Sequence, residues 1–285
     1  MPSNEASLAP LTGSQNDRDQ NATNNTETHL LECFKAFSAD QKKQLAQKTT
    51  TKGVNGFHTK AQFDSIEDTI AAFAAGDFVI VLDSLSRENE GDLIIAASAL
   101  TPRKAAFMIR YTSGYICAPL PASRCDALNL PQMVVHNTDP NRTAYTVTVD
   151  AIHPDVTTGI SAHDRAMTCR TLADPNAGPE HFRRPGHVVP LRARDGGVRA
   201  RRGHTEAAVE LCRLAGLDEA GVICEMVKDG MEAIGKPEIV GAGMMRRDDC
   251  LEFGRKWGLR VCTIEDLVEY VEEKEGKLGV PGTDY

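Results

Sequence analysis

Short apolar runs recur along this chain with helix-like stretches between them, and this alternation limits the possible folds more than any other feature. The runs occupy residues 78–83, 93–97, 115–120, 145–150, 187–194, 222–227 and 260–264. Each has the length of a buried strand rather than of a helix. The intervening helices have readable starts. Thr101 and Pro102 precede 104–111, Thr205 precedes 206–214, Asp248 precedes 249–257, and Thr263 precedes 265–273. Hydroxyl and carboxylate side chains at those points can accept from the free amides of a first turn, and proline fits there without losing a bond. Ile66, Ile70, Ala71 and Phe73 predict one more helix ahead of the first run. Helices and strands mixed in this way predict an α+β fold in a single domain. A chain of 285 residues with 41% hydrophobic content can bury one sizeable core.

Composition divides the chain into three parts. Residues 1–56 are rich in Asn, Ser, Thr and Gln, with Leu30, Leu31, Phe34 and Phe37 as one amphipathic spacing, so a disordered or weakly ordered extension is expected there. Residues 57–275 form the expected catalytic domain, and 276–285 a flexible tail. Two stretches, 129–141 and 174–185, read as long loops, which are often functional. A net charge of -8 and a pI near 5.5 exclude a global basic field, so neither nucleic acid nor an anionic membrane is an expected partner. The 8 cysteines include no C-x-x-C pair and read as reduced, mostly buried thiols, Cys117 and Cys224 among them. No signal-like start and no apolar stretch of about 20 residues is present, so a cytoplasmic protein is expected.

Five motifs carry chemistry. Arg87-Glu-Asn-Glu-Gly-Asp92 sets three acids in a tight turn between apolar runs, where a charge run is not simply a solvated face. Such carboxylates suit a hard cation like Mg²⁺. Arg201-Arg-Gly-His-Thr205 precedes an apolar helix. Gly203 permits close backbone approach, Thr205 reads as an N-cap, and the free amides favour phosphate, although the same pattern also serves as plain capping. Arg184-Pro-Gly-His187 reads as a turn leading into a strand. The hydroxyl-rich 157–165 segment, with Thr158 and Ser161, reads as a second phosphate cradle. Glu225 ends an apolar run, where partial desolvation suits a general acid or base and a plain strand-end glutamate is the alternative.

These five motifs, in this order, resemble those of the 3,4-dihydroxy-2-butanone 4-phosphate synthase family, and most closely its fungal monofunctional form. The matching segments are R-E-N-E-G-D from Arg87, T-T-G-I-S-A-x-D-R from Thr157, R-P-G-H from Arg184, R-x-G-H-T-E from Arg201 and A-G-V-x-C-E from Ala220. The resemblance implies a family-specific α+β fold, a homodimer, a need for Mg²⁺ or Mn²⁺, and release of formate from ribulose 5-phosphate in riboflavin biosynthesis. It maps Glu88 and His204 to metal ligands and His187 and Glu225 to catalysis; Asp92 is a further candidate for the proton transfers the reaction needs. Arg87, Arg201, Gly203 and Thr205 map to substrate binding, where Glu88, Asp92, His204 and Glu225 also contribute; Glu90, Thr158 and Ser161 join that expected set. Arg202 stands where the family often has glycine, a change expected to be tolerated. Neither the closely spaced cysteines nor the length of a fused GTP cyclohydrolase II domain is present, so one reaction is expected. A metal-dependent sugar-phosphate isomerase or aldolase, or a phosphate-binding scaffold, remains an open alternative at this point.

Overall fold

Residues 62–278 are described by the computed structural model. The expected N-terminal extension and most of the expected tail lie outside them. Helix α1 (Ile66–Ala74) is capped by Ser65, whose hydroxyl accepts from the Asp68 amide, and it buries Ile66, Thr69 and Phe73. Strands β1 (Val79–Leu82) and β2 (Gly91–Ala96) follow, buried at every position. Helix α2 (Pro102–Tyr111) begins as the sequence predicts, with the Thr101 hydroxyl accepting from Lys104 and proline in the first turn. Next come β3 (Cys117–Leu120), α3 (Ala122–Ala127), β4 (Val149–Ala151), α4 (Ala162–Ala173) and β5 (Phe182–Arg192). The one-turn α5 (Gly197–Ala200), α6 (His204–Leu214) and β6 (Gly221–Glu225) lead to four two-residue strands, β7 (Val227–Lys228), β8 (Met231–Glu232), β9 (Ile239–Val240) and β10 (Gly243–Met244). Helix α7 (Arg247–Trp257), β11 (Arg260–Thr263) and α8 (Ile264–Glu275) complete the described chain.

The main sheet has the order β11-β1-β2-β6-β3-β5-β4. Pairing is parallel at β1/β11 and β3/β5 and antiparallel elsewhere, which makes the sheet mixed. Alternate residues of the central strands feed two apolar clusters. Ile80, Leu93 and Val222 join one with Met108 of α2, Leu172 of α4 and Phe253 of α7. Val79, Ile94 and Ile223 join the other with Phe73 of α1, Leu211 of α6 and Leu267 of α8. Helices thus cover both faces, which explains why the strands read as continuous apolar runs rather than as alternating ones. The fold is α+β, as expected.

Four local expectations are corrected. The run 145–150 is a strand only at Val149–Ala151. Tyr145 and Thr146 make isolated bridges to Leu191 and Gln132, and the register shifts between Val149 and Asp150. The R-P-G-H segment lies inside β5, not in a turn before it. Gly186 serves close packing there: a Cβ on it would fall 2.0 Å from the carbonyl carbon of Val149. Helix α6 starts two residues before the position predicted, with Gly203 as N-cap, so Thr205 is buried in the first turn. Helix α7 is capped by Arg246, whose amide donates to the Asp249 carboxylate at 2.9 Å, so Asp248 falls within the helix.

Candidate active site

The register of β1 with β2 pairs Leu82 with Gly91, which forces residues 83–90 into a tight loop at one end of the sheet. Asp83, buried at the start of that loop, organises it. Its carboxylate accepts from the amides of Glu88 (2.9 Å) and Glu90 (2.8 Å) and from Arg87 Nη1 (2.9 Å). Asn89 adopts a left-handed φ of 53°, a conformation asparagine tolerates better than most residues. The same Arg87 Nη1 also donates to Glu88 Oε2 at 2.6 Å, so the loop holds the Glu88 carboxylate next to Asp83's own partner.

Glu88 meets His204 and Asp92. The His204 imidazole, 3.7 Å away, and Arg87, whose Nη1 donates to Oε2 at 2.6 Å, hold the Glu88 carboxyl at about 2, against the opposing effect of burial. His204 begins α6 and is buried. Its Nε2 lies 3.2 Å from the carbonyl oxygen of Val81. A carbonyl only accepts, so Nε2 carries a hydrogen and Nδ1 faces the carboxylates, 3.7 Å from Glu88 Oε2 and 3.6 Å from Asp92 Oδ1. Burial lowers the His204 pKa, but the Asp92 and Glu88 carboxylates outweigh it and lift the value to about 9. Asp92 is fully desolvated, which pushes its carboxyl up to about 7. Its Oδ1 is buried with no hydrogen-bond partner.

An orphaned carboxylate oxygen of this kind is costly unless something else neutralises it. Among the described residues, no three His, Cys, Asp or Glu side chains are already gathered at ion-ligating spacing. Even so, ligand atoms around one Mg²⁺, at roughly 2.1 Å each, stand roughly 3 to 4 Å apart, which is the spacing observed between Nδ1 and the two oxygens. A backbone carbonyl on the far nitrogen is also the usual arrangement behind a metal-bound imidazole. The residues present therefore fit a hard divalent cation.

The remaining walls of this cleft come from Arg87, Arg201, Thr205, Glu225 and an apolar side formed by Cys117, Tyr145, Leu191 and Ile223. Arg201 Nη1 donates to the buried Glu206 carboxylate at 2.6 Å. Gly203 leaves the space for this: a Cβ there would lie 2.2 Å from that nitrogen. Arg202 is exposed to solvent, which explains how this chain accommodates it. Glu225 lies directly across from Asp92 in the β2/β6 register, and its Oε2 accepts from the Ser113 hydroxyl at 2.8 Å. Cys117 is buried, and desolvation raises its thiol well above the ordinary value, so it is inert wall rather than nucleophile.

Some sequence candidates lie outside the cleft. Glu90, His187, Thr158 and Ser161 do not line it. His187 is held in β5 by the buried Asp150, whose carboxylate accepts from the His187 amide (2.8 Å) and pairs with Nδ1 (2.9 Å), while the ring stays partly exposed. In the 157–161 turn the amides of Thr157 (3.3 Å) and Gly159 (3.0 Å) already donate to Asp164. Ser161 Oγ caps α4 by accepting from the Asp164 amide at 3.0 Å. Those two amides therefore brace the turn from within. Sequence reasoning missed Asp83, Ser113, Asp150, Tyr145 and Glu206. Only Asp83 and Asp150 carried a signal, each an acid at the end of an apolar run.

Comparison with known proteins identifies the family. The family model described as 3,4-dihydroxy-2-butanone 4-phosphate synthase matches residues 67–270. The synthase of that name from Pyricularia oryzae is 62% identical over 224 residues, covering 79% of this chain and 96% of that protein. The one from Schizosaccharomyces pombe is 53% identical over 211 residues, covering 73% of this chain and 97% of its own. A crystal structure of such a synthase in complex with two magnesium ions superimposes with a TM-score of 0.75 at 63% identity, covering 76% of this chain and all of that one, 100%. On motif order, fold and relatives alike, this chain belongs to the 3,4-dihydroxy-2-butanone 4-phosphate synthase family.

Proposed function

We propose that the chain converts D-ribulose 5-phosphate to L-3,4-dihydroxy-2-butanone 4-phosphate and formate, a carbon–carbon lyase step of riboflavin biosynthesis that uses Mg²⁺ or Mn²⁺. The observation that carries this reading is the convergence of His204 Nδ1, Glu88 Oε2 and the unpartnered Asp92 Oδ1 beside two guanidinium groups. Glu88 and His204 would hold the ion, which when bound supplies Lewis-acid stabilisation of developing enolate charge worth several kcal/mol.

The chain's own residues account for binding and proton movement. Arg87 and Arg201 supply positive charge along the cleft, and the start of α6, at Gly203 and Thr205, adds amides and a hydroxyl suited to sugar or phosphate oxygens. Removal of the proton beside the ketone gives an enediol; dehydration, migration of the terminal carbon and hydrolysis then release formate. Asp92, buried in the same cleft and directly across from Glu225, is placed to give and take a proton. Glu225, oriented by Ser113 and adjacent across the strand pair, is the second group placed for those transfers. The apolar side of Tyr145, Leu191 and Ile223 limits water around the reactive carbons.

His187, Thr158 and Ser161 face outward on this chain and are assigned to the site of a second copy in a homodimer. The exposed apolar side chains of Ile152, ahead of that turn, and Ile160, within it, support a subunit contact there. A cytoplasmic location is consistent with the cysteines of the described residues, all unpaired and buried. Among the described residues no helix is long and apolar enough to cross a membrane.

The test is formate release from ribulose 5-phosphate by purified protein with Mg²⁺, then with EDTA. Formate that appears only with metal is the expected result. Metal-dependent loss of substrate without formate would instead identify an isomerase or aldolase, and no reaction would leave a binding scaffold.

A further inference from the structure

Between α3 and β4 a strap of residues 137–143 crosses the mouth of the cleft, and its own side chains brace it. Asn137 Oδ1 accepts from the Asp139 amide (2.8 Å) and its Nδ2 donates to the Thr143 carbonyl (2.9 Å). Asp139 Oδ2 accepts from the Thr143 amide (2.9 Å), and Arg142 takes a left-handed φ of 50°. These bonds hold Asn141 over the site. Its Nδ2 donates to Glu88 Oε1 at 2.7 Å, and its main-chain oxygen accepts from Arg201 Nε (3.3 Å) and Nη2 (3.1 Å). A carboxylate only accepts, so the amide orientation at Asn141 is fixed by its partner.

We propose that Asn141 is a positioning residue that presents Glu88 to the divalent cation. By engaging Oε1, it complements Arg87 Nη1, which donates to Oε2 at 2.6 Å, and the two donors together fix the plane of the carboxylate with Oε2 facing His204 Nδ1 at 3.7 Å. The same residue separates two tasks. Its side chain acts on the cation carboxylate, whereas its backbone carbonyl steadies the guanidinium of Arg201. A side-chain substitution therefore removes the first task and leaves the second.

This inference rests on the metal reading of Glu88 and His204, and Mn²⁺ binding followed by EPR on the full-length chain keeps the two apart. Wild-type protein should bind Mn²⁺, and Glu88→Gln should abolish that binding; wild-type protein that binds none, or unaffected binding in Glu88→Gln, would overturn the metal reading itself. Asn141→Ala and the near-isosteric Asn141→Leu should each weaken Mn²⁺ binding by about 10-fold or more, the usual effect of losing a group that orients a ligand. At saturating metal, KM for ribulose 5-phosphate should be unchanged in both. In an Asp92→Asn background, which weakens the site without touching the Glu88–Asn141 bond, Asn141→Ala should again cost about 10-fold. Wild-type Mn²⁺ affinity in both folded single variants would overturn the role of Asn141. A weakened affinity accompanied by a lowered thermal midpoint in both would overturn it equally, because the side chain would then be bracing the strap rather than aiming Glu88.

Discussion

Two buried-carboxylate sites in this molecule follow opposite designs. At the 157–164 turn, Asp164 is surrounded by donors: the Thr157 hydroxyl at 2.8 Å and the amides of Thr157 and Gly159, all on one oxygen, with His163 on the other. Those bonds outweigh burial and hold its carboxyl at about 2. In the cleft, Asp92 is just as buried, has an oxygen with no donor, and is pushed up to about 7. The first arrangement stabilises a fold, because every acceptor is matched. The second costs stability, and on the proposed reading a bound cation and substrate would supply the missing partners.

The largest expected effect breaks the cleft. Glu88→Ala or His204→Ala should lower formate release by about 10³-fold or more, the loss of several kcal/mol of charge stabilisation, with circular dichroism unchanged. A variant that lost both activity and fold would not support the metal-ligand role. His187→Ala should also be inactive, but for a different reason if its imidazole serves the neighbouring copy. Mixing denatured and refolded Glu88→Ala and His187→Ala subunits should then regain part of the wild-type turnover, since some mixed dimers carry one intact site. No recovery, with dimers formed, would place both residues in one chain's site.

Smaller effects sharpen the contrast from the other side. Asp164→Asn should cost about 2 kcal/mol in urea unfolding while leaving kcat of the folded enzyme in place, since it removes acceptors that the turn's buried donors need. The pH dependence carries the same sign. The folded carboxyl, at about 2, lies below its unfolded value of about 4, so its stabilisation is present above about pH 4 and is lost as pH falls through about 2. A stability profile of Asp164→Asn parallel to wild type across that window would remove the assignment. Arg202→Gly should be nearly silent, within about 0.5 kcal/mol in stability and with unaltered KM, because the side chain faces solvent.

Much of this was legible in the chain itself. The runs at 78–83, 93–97 and 222–227 read as strands because a sheet covered by helices on both faces needs apolar residues at every position, and such continuous runs are visible without knowing their neighbours. Capping residues such as Thr101 and Thr263 announced their helices because their hydrogen bonds reach only three residues along the chain. The cap at α6 was misplaced by two residues because Gly203, which caps with no side chain, is there to let Arg201 reach Glu206, a contact with no trace in local sequence.

The sequence by itself determined the central buried strands and the longer capped helices, the order of the motifs and the family they spell, because each depends on local spacing. Only the tertiary structure decided which acids meet. Strand register set Asp92 against Glu225, the β1/β2 loop turned Glu88 toward a histidine more than a hundred residues away, and the same packing left Asp92 Oδ1 without a donor while surrounding Asp164 with them. The physical reason is that a carboxylate's chemistry is set by what surrounds it in space, and desolvation and long-range hydrogen bonds exist only once the sheet has formed.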